Sequence, residues 1–234
     1  MLKITESAIP VACWSCSVAH NESTLFCPHC SKIQPAKAGD YFSVFGLVPR
    51  LDLDLGALEH EFHKLSRKLH PDRFARAHEN EKQWSLADTA LLNDAYRTLK
   101  DPIRRTEYLL KLHGAEIGEE HAGKDRPKND MGASRVPADL LEEAFELNMQ
   151  LEEMRMARKT GEADSELEGS LEQAKRKCDG LLDDVDRDLR GEWDAWDTGD
   201  AGTRAAVQKK MVALLDRRRY ISNLVRDVTE TLGA

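Results

Sequence analysis

The tripeptide His70-Pro71-Asp72 constrains the fold of this chain more than any other sequence feature. Upstream of it, apolar residues recur at steps of three and four, which predicts one buried helical face: Leu55, Leu58, Phe62, Leu65 and Leu69. Pro71 has no backbone N–H and disfavours helical geometry at His70, so this helix must end there. A second helical segment follows. The sequence therefore predicts a helical hairpin whose connecting loop presents an imidazole and a carboxylate.

The helix before this loop also carries a basic face. Lys64, Arg67 and Lys68 lie at i, i+3 and i+4, so their side chains share one surface. Residues 64–76 include five basic residues and one acid, although the whole chain has a formal net charge of −8. That overall charge argues against a general nucleic-acid binder. A basic patch on an acidic protein indicates a docking site for an acidic partner.

This order of elements resembles the J-domain, the part of DnaJ-type co-chaperones that stimulates the ATPase of a DnaK-type chaperone. Residues 40–47 resemble its short first helix, and residues 93–102 resemble its third helix with the Asp-Pro exit. The alternative, an ordinary turn beside a solvated face, leaves the order of elements unexplained. The resemblance implies a chaperone-binding set made of the loop and the basic face: Lys64, Arg67, Lys68, His70, Pro71 and Asp72.

Two CxxC pairs, ten residues apart near the N-terminus, predict a metal site. Their cysteines are Cys13, Cys16, Cys27 and Cys30. A CxxC turn presents two thiolates to one ion, and two such turns complete a tetrahedral, structural zinc site. About thirty residues cannot bury a self-sufficient core, so bound metal would supply the folding energy. His20 and His29 are left out of the ligand set because four cysteines are available.

Three other uses of these cysteines compete with zinc. Two disulfides would suit a secreted protein, but we see no secretory signal. A thioredoxin-like redox pair needs a helix start beside a strand, and neither is evident here. An iron–sulfur cluster also takes four thiolates, although the small ribbon-like spacing favours zinc. The fifth cysteine, Cys178, falls on an apolar stripe and is predicted to be a buried small hydrophobe.

The composition indicates a solvated helical protein. Charged residues make up 32% of the chain and aromatic residues 6%, and period-two apolar runs are nearly absent. No apolar run reaches about 18 residues, so we expect no membrane span. The N-terminus resembles neither a signal nor a transit peptide, which predicts a cytoplasmic protein, or a mitochondrial matrix protein if a longer precursor was trimmed. We expect no enzyme, because paired carboxylates, a nucleophile motif and a glycine-rich phosphate loop are not found.

From residue 137 onward the chain is predicted to form three amphipathic helices. Their core positions step by threes and fours: Leu140, Ala144, Leu147, Leu151 and Met154; then Leu167, Leu171, Ala174, Cys178, Leu181 and Val185; then Val207, Met211, Leu214, Ile221, Val225, Val228 and Leu232. Such helices, joined by short turns, bury a shared core as a bundle. The expected fold is all-α, with four segments: a zinc-ribbon-like segment (1–39), a J-domain hairpin (40–113), a linker (114–136) and a three-helix bundle (137–234).

The first bundle helix carries a second apolar row that its core does not require. Leu141, Phe145 and Met149 lie at i, i+4 and i+8, with Glu142 and Glu146 beside them. The row is rotated by about 100° from the core row, given the pitch of an α-helix. From the pattern alone, a partner surface and a wide core face are equally good interpretations.

The whole arrangement resembles the HscB family, also called Hsc20, whose members are J-type co-chaperones of iron–sulfur cluster biogenesis. Only some members carry the tetracysteine ribbon. Residues 141–148 resemble the family's scaffold-contacting segment, and residues 219–224 resemble its final-helix signature. The resemblance implies an IscU-type scaffold surface on Leu141, Phe145, Glu146 and, completing the row, Met149. Glu142 and Met149 depart from the family's usual residues, which bears on the strength of scaffold binding.

The resemblance implies a co-chaperone with two arms. The J-domain would bind a DnaK/HscA-type chaperone while the bundle holds the IscU-type scaffold for cluster transfer, and linking the arms raises the scaffold's effective concentration. His70 and Asp72 would favour the chaperone's hydrolysis-competent conformation without acid–base catalysis. Three alternatives stay open: a J-protein with another client, a zinc-ribbon interaction or nucleic-acid module, and a thiol redox enzyme. The ribbon's role in homodimerisation, stability or partner choice is also open.

Overall fold

The computed structural model describes residues 10–21, 24–35, 39–117, 137–161 and 165–233, and most of the predicted linker lies outside these ranges. The chain divides into two compact units, Met1–Leu109 and Leu110–Ala234. The described part is helical apart from one two-stranded sheet near the N-terminus, which confirms the predicted fold class. None of its helices is both long and apolar enough to cross a membrane.

The N-terminal ribbon is built from two small turns. Strands β1 (Pro10–Ala12) and β2 (Ala19–Asn21) pair antiparallel, with Val11 opposite His20. An isolated bridge between Phe26 and Ile33 closes the second turn. Ile33 is almost fully buried, so this short segment has an apolar interior in addition to its cysteines.

The first unit contains three whole helices, α1 (Tyr41–Val44), α2 (Leu55–Leu69) and α3 (Glu79–Lys100), of which α2 and α3 form the hairpin. A fourth helix, α4 (Pro102–Leu112), begins in the first unit and ends beyond its limit at Leu109. Asp40 and Asp54 cap α1 and α2 by accepting hydrogen bonds from backbone N–H groups three residues later. Helix α2 ends at Leu69, as Pro71 requires. The hairpin core contains Phe42, Leu51, Leu58, Leu69, Leu92, Ala95, Leu99 and Leu109.

One predicted core position of α2 is exposed. Leu55 opens the helix and keeps 45% of its surface accessible, so the buried face begins one turn later, at Leu58. Phe62 is half-buried and stacks on Tyr96 of α3, with ring centroids 4.1 Å apart. The apolar stripe therefore packs α2 on α3 over its last three turns.

The second unit contains the predicted bundle, built from α5 (Leu141–Thr160), α6 (Ser165–Gly191) and α8 (Ala201–Leu232). Gly161 ends α5 with φ of +75°, a left-handed conformation that glycine adopts without a Cβ clash. A short additional helix, α7 (Trp193–Thr198), precedes α8. The core cluster of the bundle contains Leu140, Ala144, Leu147, Leu151, Met154, Leu167, Leu171, Cys178, Val185, Ile221, Leu224 and Val228.

Two details of α8 differ from the expected stripe. Leu214 is half-buried and packs against the core cluster as predicted, whereas Leu215, which the predicted stripe leaves out, is buried to 2% exposure. Arg218 interrupts the apolar stripe and pairs instead with Asp186 of α6, with Nε and Oδ1 2.6 Å apart. The break in the pattern therefore marks an ion pair between two bundle helices.

Candidate functional sites

The four N-terminal cysteines converge in the ribbon. Their sulfur atoms all lie within 4.8 Å of one another. Cys13 and Cys30 have their sulfurs 3.6 Å apart, and Cys16 and Cys27 have theirs 3.7 Å apart. Four sulfurs placed about 2.3 Å from a tetrahedral zinc ion would lie about 3.8 Å from each other. The cluster therefore has the dimensions of a four-thiolate metal site, and all five cysteines of the chain are free thiols rather than disulfides.

The two CxxC turns have the same backbone geometry. In each turn the residue after the second cysteine donates its N–H to the first cysteine's carbonyl: Ser17 to Cys13 and Ser31 to Cys27, both at 2.9 Å. These two serines have φ of +61° and +58°. An L-residue in this left-handed region costs about 1–2 kcal/mol, so its occurrence at equivalent positions shows that turn closure dictates the backbone.

His20 supports the sulfur cluster from outside it. Its ring is buried, with Nδ1 2.9 Å from the Thr24 hydroxyl and Nε2 3.2 Å from Oε1 of Gln34. The Gln34 amide in turn donates to the sulfur of Cys13 at 3.4 Å. Outer hydrogen bonds of this kind orient a metal ligand. His29 lies on the exposed surface of the second turn.

Two of the clustered thiols have pKa values shifted in opposite directions. Burial alone would raise the pKa of Cys13, but hydrogen bonds from the backbone of Cys16 and Ser15 and from neighbouring thiols outweigh it and lower the pKa to about 6. The backbone of Val18 would lower the pKa of Cys16, but burial and the other cysteines raise it to about 12. Adjacent thiolates repel one another, so four of them need a cation between them.

The loop after α2 is held by hydrogen bonds, although the side chains of His70 and Asp72 are exposed. Ser85 of α3, which is fully buried, donates its hydroxyl to the carbonyl of Leu69 at 2.6 Å and so fixes the last turn of α2. The loop then forms a single 3₁₀ turn, Pro71–Phe74. His70 accepts a hydrogen bond from the backbone of Asp72 at Nδ1. The side chains of His70 and Asp72 remain 58% and 90% exposed.

The predicted basic face is also exposed. Lys64 pairs with Glu61 on the same helix at 2.9 Å, and Arg67 donates from Nε to the carbonyl of His63 at 3.1 Å. Lys68 lies over the ring of Phe26 in the ribbon, with its Nζ 5.8 Å from the ring centroid. Exposed pairs of this kind contribute only about 0–1 kcal/mol, so these cations can exchange their present partners for others.

The second apolar row of α5 faces solvent. Leu141, Phe145 and Met149 are 56%, 66% and 60% exposed, whereas the core row of the same helix is buried. Met156, which the sequence interpretation did not include, is also 60% exposed and lies two turns further along, beyond the acids Glu152 and Glu153. The wide-core-face interpretation is therefore wrong. An exposed apolar row of three large side chains is typical of a partner surface.

The acids beside this row differ in their environments. Glu146 is exposed, and so is Glu142. Glu143 binds Lys177 of α6 at 2.6 Å, which raises the pKa of that lysine. Next to Lys177, Cys178 is 9% exposed, and burial raises the pKa of its thiol. Cys178 therefore packs as a small apolar side chain, as predicted.

Comparisons with known proteins identify relatives over most of the chain. No family model matches it. The mouse (Mus musculus) iron-sulfur cluster co-chaperone protein HscB is 30% identical over 221 residues, which is 93% of this chain and 81% of the mouse protein. The human (Homo sapiens) protein of the same name is 40% identical over 111 residues, 46% of this chain and 47% of that protein.

Two solved structures have the same overall fold. The crystal structure of human co-chaperone protein HscB matches with a TM-score of 0.64 and 26% identity, covering 94% of this chain and 98% of that one. The chaperone HscB from Vibrio cholerae matches with a TM-score of 0.56 and 26% identity, covering 82% of this chain and 96% of that one.

Proposed function

Because the chain belongs to the HscB family of iron–sulfur cluster co-chaperones, we propose that it stimulates the ATPase of a DnaK/HscA-type chaperone and delivers an IscU-type scaffold to it. The observation that carries the proposal is a pair of exposed surfaces, one in each unit. The first unit presents the exposed His70–Asp72 loop beside basic side chains. The second presents the apolar row of α5.

The loop acts by binding, because the hydrolysed ATP lies in the chaperone. His70 and Asp72 are exposed and held in one geometry by the 3₁₀ turn and by Ser85. A rigid loop that fits one conformation of the chaperone better than the other shifts the equilibrium by that difference in affinity. The exposed cations Lys64, Arg67 and Lys68 attract an acidic chaperone surface and speed association.

The α5 row supplies the scaffold arm. Phe145 is a large aromatic side chain at the centre of the row, with Leu141 and Met149 one turn to either side. Aromatic anchors surrounded by smaller contacts carry most of the energy of a typical interface. Glu146 beside the row adds charge complementarity. Joining both arms in one chain presents the scaffold to the chaperone at a high effective concentration.

Zinc is the metal that this donor set favours. Four thiolates whose sulfurs lie within 4.8 Å of one another suit a closed tetrahedral zinc site and leave no open position for catalysis. Bound zinc would crosslink the two turns through Cys13, Cys16, Cys27 and Cys30.

The proposal also includes the domain limits: ribbon 1–39, J-domain 40–113, linker 114–136 and bundle 137–234. The protein then acts in a bacterial cytoplasm or a mitochondrial matrix.

The test is the steady-state ATPase of the cognate chaperone with this protein added, with and without the scaffold. We expect stimulation that rises synergistically when the scaffold is present. His70→Gln should remove the stimulation and leave scaffold affinity unchanged, whereas His60→Gln, an exposed histidine on α2, should behave as wild type. Stimulation that is indifferent to the scaffold would point to another client. Equal stimulation by the His70 variant would refute the role of the loop.

A further inference from the structure

The second CxxC turn of the ribbon packs against the hairpin that carries the loop. Lys32, two residues after Cys30, binds Glu81 of α3 at 3.1 Å, and the Glu81 side chain is only 4% exposed. Trp14 of the first turn contacts Trp84 of α3, with ring centroids 5.6 Å apart. The ribbon is therefore fixed to the hairpin of the same unit at two places.

A cleft of about 650 Å³ lies between this turn and the loop. Its lining combines apolar and basic side chains: Phe26, Ile33 and Phe74, with Lys32, Lys68 and Arg73. The one acid in the lining, Glu81, already has Lys32 as its partner. Lys68 and Arg73 are exposed, so the cleft presents positive charge beside apolar surface.

The cleft is continuous with the proposed docking loop. Lys68 comes two residues before His70, and Arg73 directly follows Asp72. Phe26 of the ribbon stands under Lys68, so the ribbon also positions a cation of the basic face. The loop and the second CxxC turn therefore border the same cleft.

We infer that the second CxxC turn forms one wall of the chaperone-docking surface, and that the cleft takes an acidic segment of the chaperone that also carries apolar side chains. The inference rests on the proposed function. Charge complementarity identifies the occupant, because Lys68 and Arg73 would pair with carboxylates while Phe26 and Phe74 bury apolar groups. The ribbon then has a binding role in addition to its folding role.

The test uses two neighbouring positions in the second turn. Pro28 lines the cleft and His29 does not, and both are exposed. Pro28→Glu and His29→Glu each introduce one negative charge, and each variant is first checked for one bound metal per chain. We expect Pro28→Glu to raise the concentration for half-maximal ATPase stimulation about fivefold at low salt, because like charges repel across an interface. His29→Glu should stay close to wild type.

A second pair of variants avoids the ribbon altogether. Arg73→Gln removes a cation from the cleft, and Arg76→Gln removes an exposed cation from the same stretch outside it. Only Arg73→Gln should weaken stimulation, again by about fivefold and less at high salt. Equal behaviour within both pairs, with wild-type stimulation intact, would overturn the inference but not the proposed function. Absence of wild-type stimulation would refute the proposed function itself.

Discussion

Replacing Ser85 by alanine should loosen the end of α2 without unfolding the chain. The Ser85 hydroxyl donates to the carbonyl of Leu69 at 2.6 Å, and both residues are fully buried. The variant would leave that carbonyl without its partner away from water, at a cost of about 1–3 kcal/mol. Alanine regains roughly 0.5 kcal/mol of helix propensity. The net destabilisation of the hairpin is therefore about 0.5–2.5 kcal/mol, with a middle value of about 1.5 kcal/mol.

Hydrogen-exchange mass spectrometry on the full chain can localise this effect. Opening of α2 and α3 should become about tenfold more frequent, because 1.4 kcal/mol is a factor of ten. Peptides from α6 and α8 should be unchanged. Ser66→Ala is the matched control, since Ser66 is a half-buried serine inside α2 and its replacement gains the same helix propensity.

The same variant connects stability to the proposed function. If the hydroxyl holds the loop in its docking geometry, Ser85→Ala should weaken ATPase stimulation several-fold while leaving scaffold affinity unchanged. Identical exchange in the Ser85 and Ser66 variants would show that this hydrogen bond contributes nothing measurable, and the account of how the loop is held would be wrong.

Three further predictions follow from exposure, metal binding and protonation. Phe145→Ala should weaken scaffold binding by about 1–3 kcal/mol in calorimetry and keep the free energy of unfolding within about 0.5 kcal/mol of wild type. Leu147→Ala, at a buried position of the same helix, should instead lower the free energy of unfolding by about 2–5 kcal/mol. The reverse pattern would contradict the assignment of the two faces. Chelation of the metal should change tryptophan fluorescence emission, because the Trp14 ring would separate from the Trp84 ring, while scaffold affinity stays constant. Unchanged emission in metal-free protein would show that the ribbon keeps its contact with α3 without metal. Burial raises the pKa of Cys178 in the folded protein, so unfolding releases its proton above about pH 8.5 and the bundle's stability should fall as the pH rises beyond that value. Urea unfolding between pH 7.5 and 9.5 measures this slope, which Cys178→Ala should flatten; an equal slope in that variant would assign the effect to another group.

Several features of this protein could be predicted from the sequence because their causes are local. Pro71 ends α2 whatever the helix packs against, because its effect on the backbone is local. A CxxC turn likewise brings two sulfurs together within four residues. Amphipathic periodicity located all three bundle helices. The family comparison confirms the resemblance first seen in these motifs.

Other features depend on contacts between distant residues and have no local signal. Lys32 and Glu81 are separated by 49 positions, and nothing in either neighbourhood marks an acid that will be buried. The short helix α7 contains six residues, too few for a periodic pattern to identify it. The choice between core and partner surface for Phe145 needed the position of α5 against its neighbours.

The repeated geometry of the two CxxC turns has a consequence for how this protein can acquire new partners. Closure of each turn requires its cysteines and a small residue that tolerates a left-handed backbone, Ser17 or Ser31. The side chains of Ser15, Pro28 and His29 stand between the cysteines on the exposed side and take no part in that closure. Substitutions there can alter molecular recognition while the crosslinked frame is preserved. The positions that close the turns are thus constrained by the backbone, whereas the exposed positions between the cysteines can be substituted without loss of the crosslinked frame.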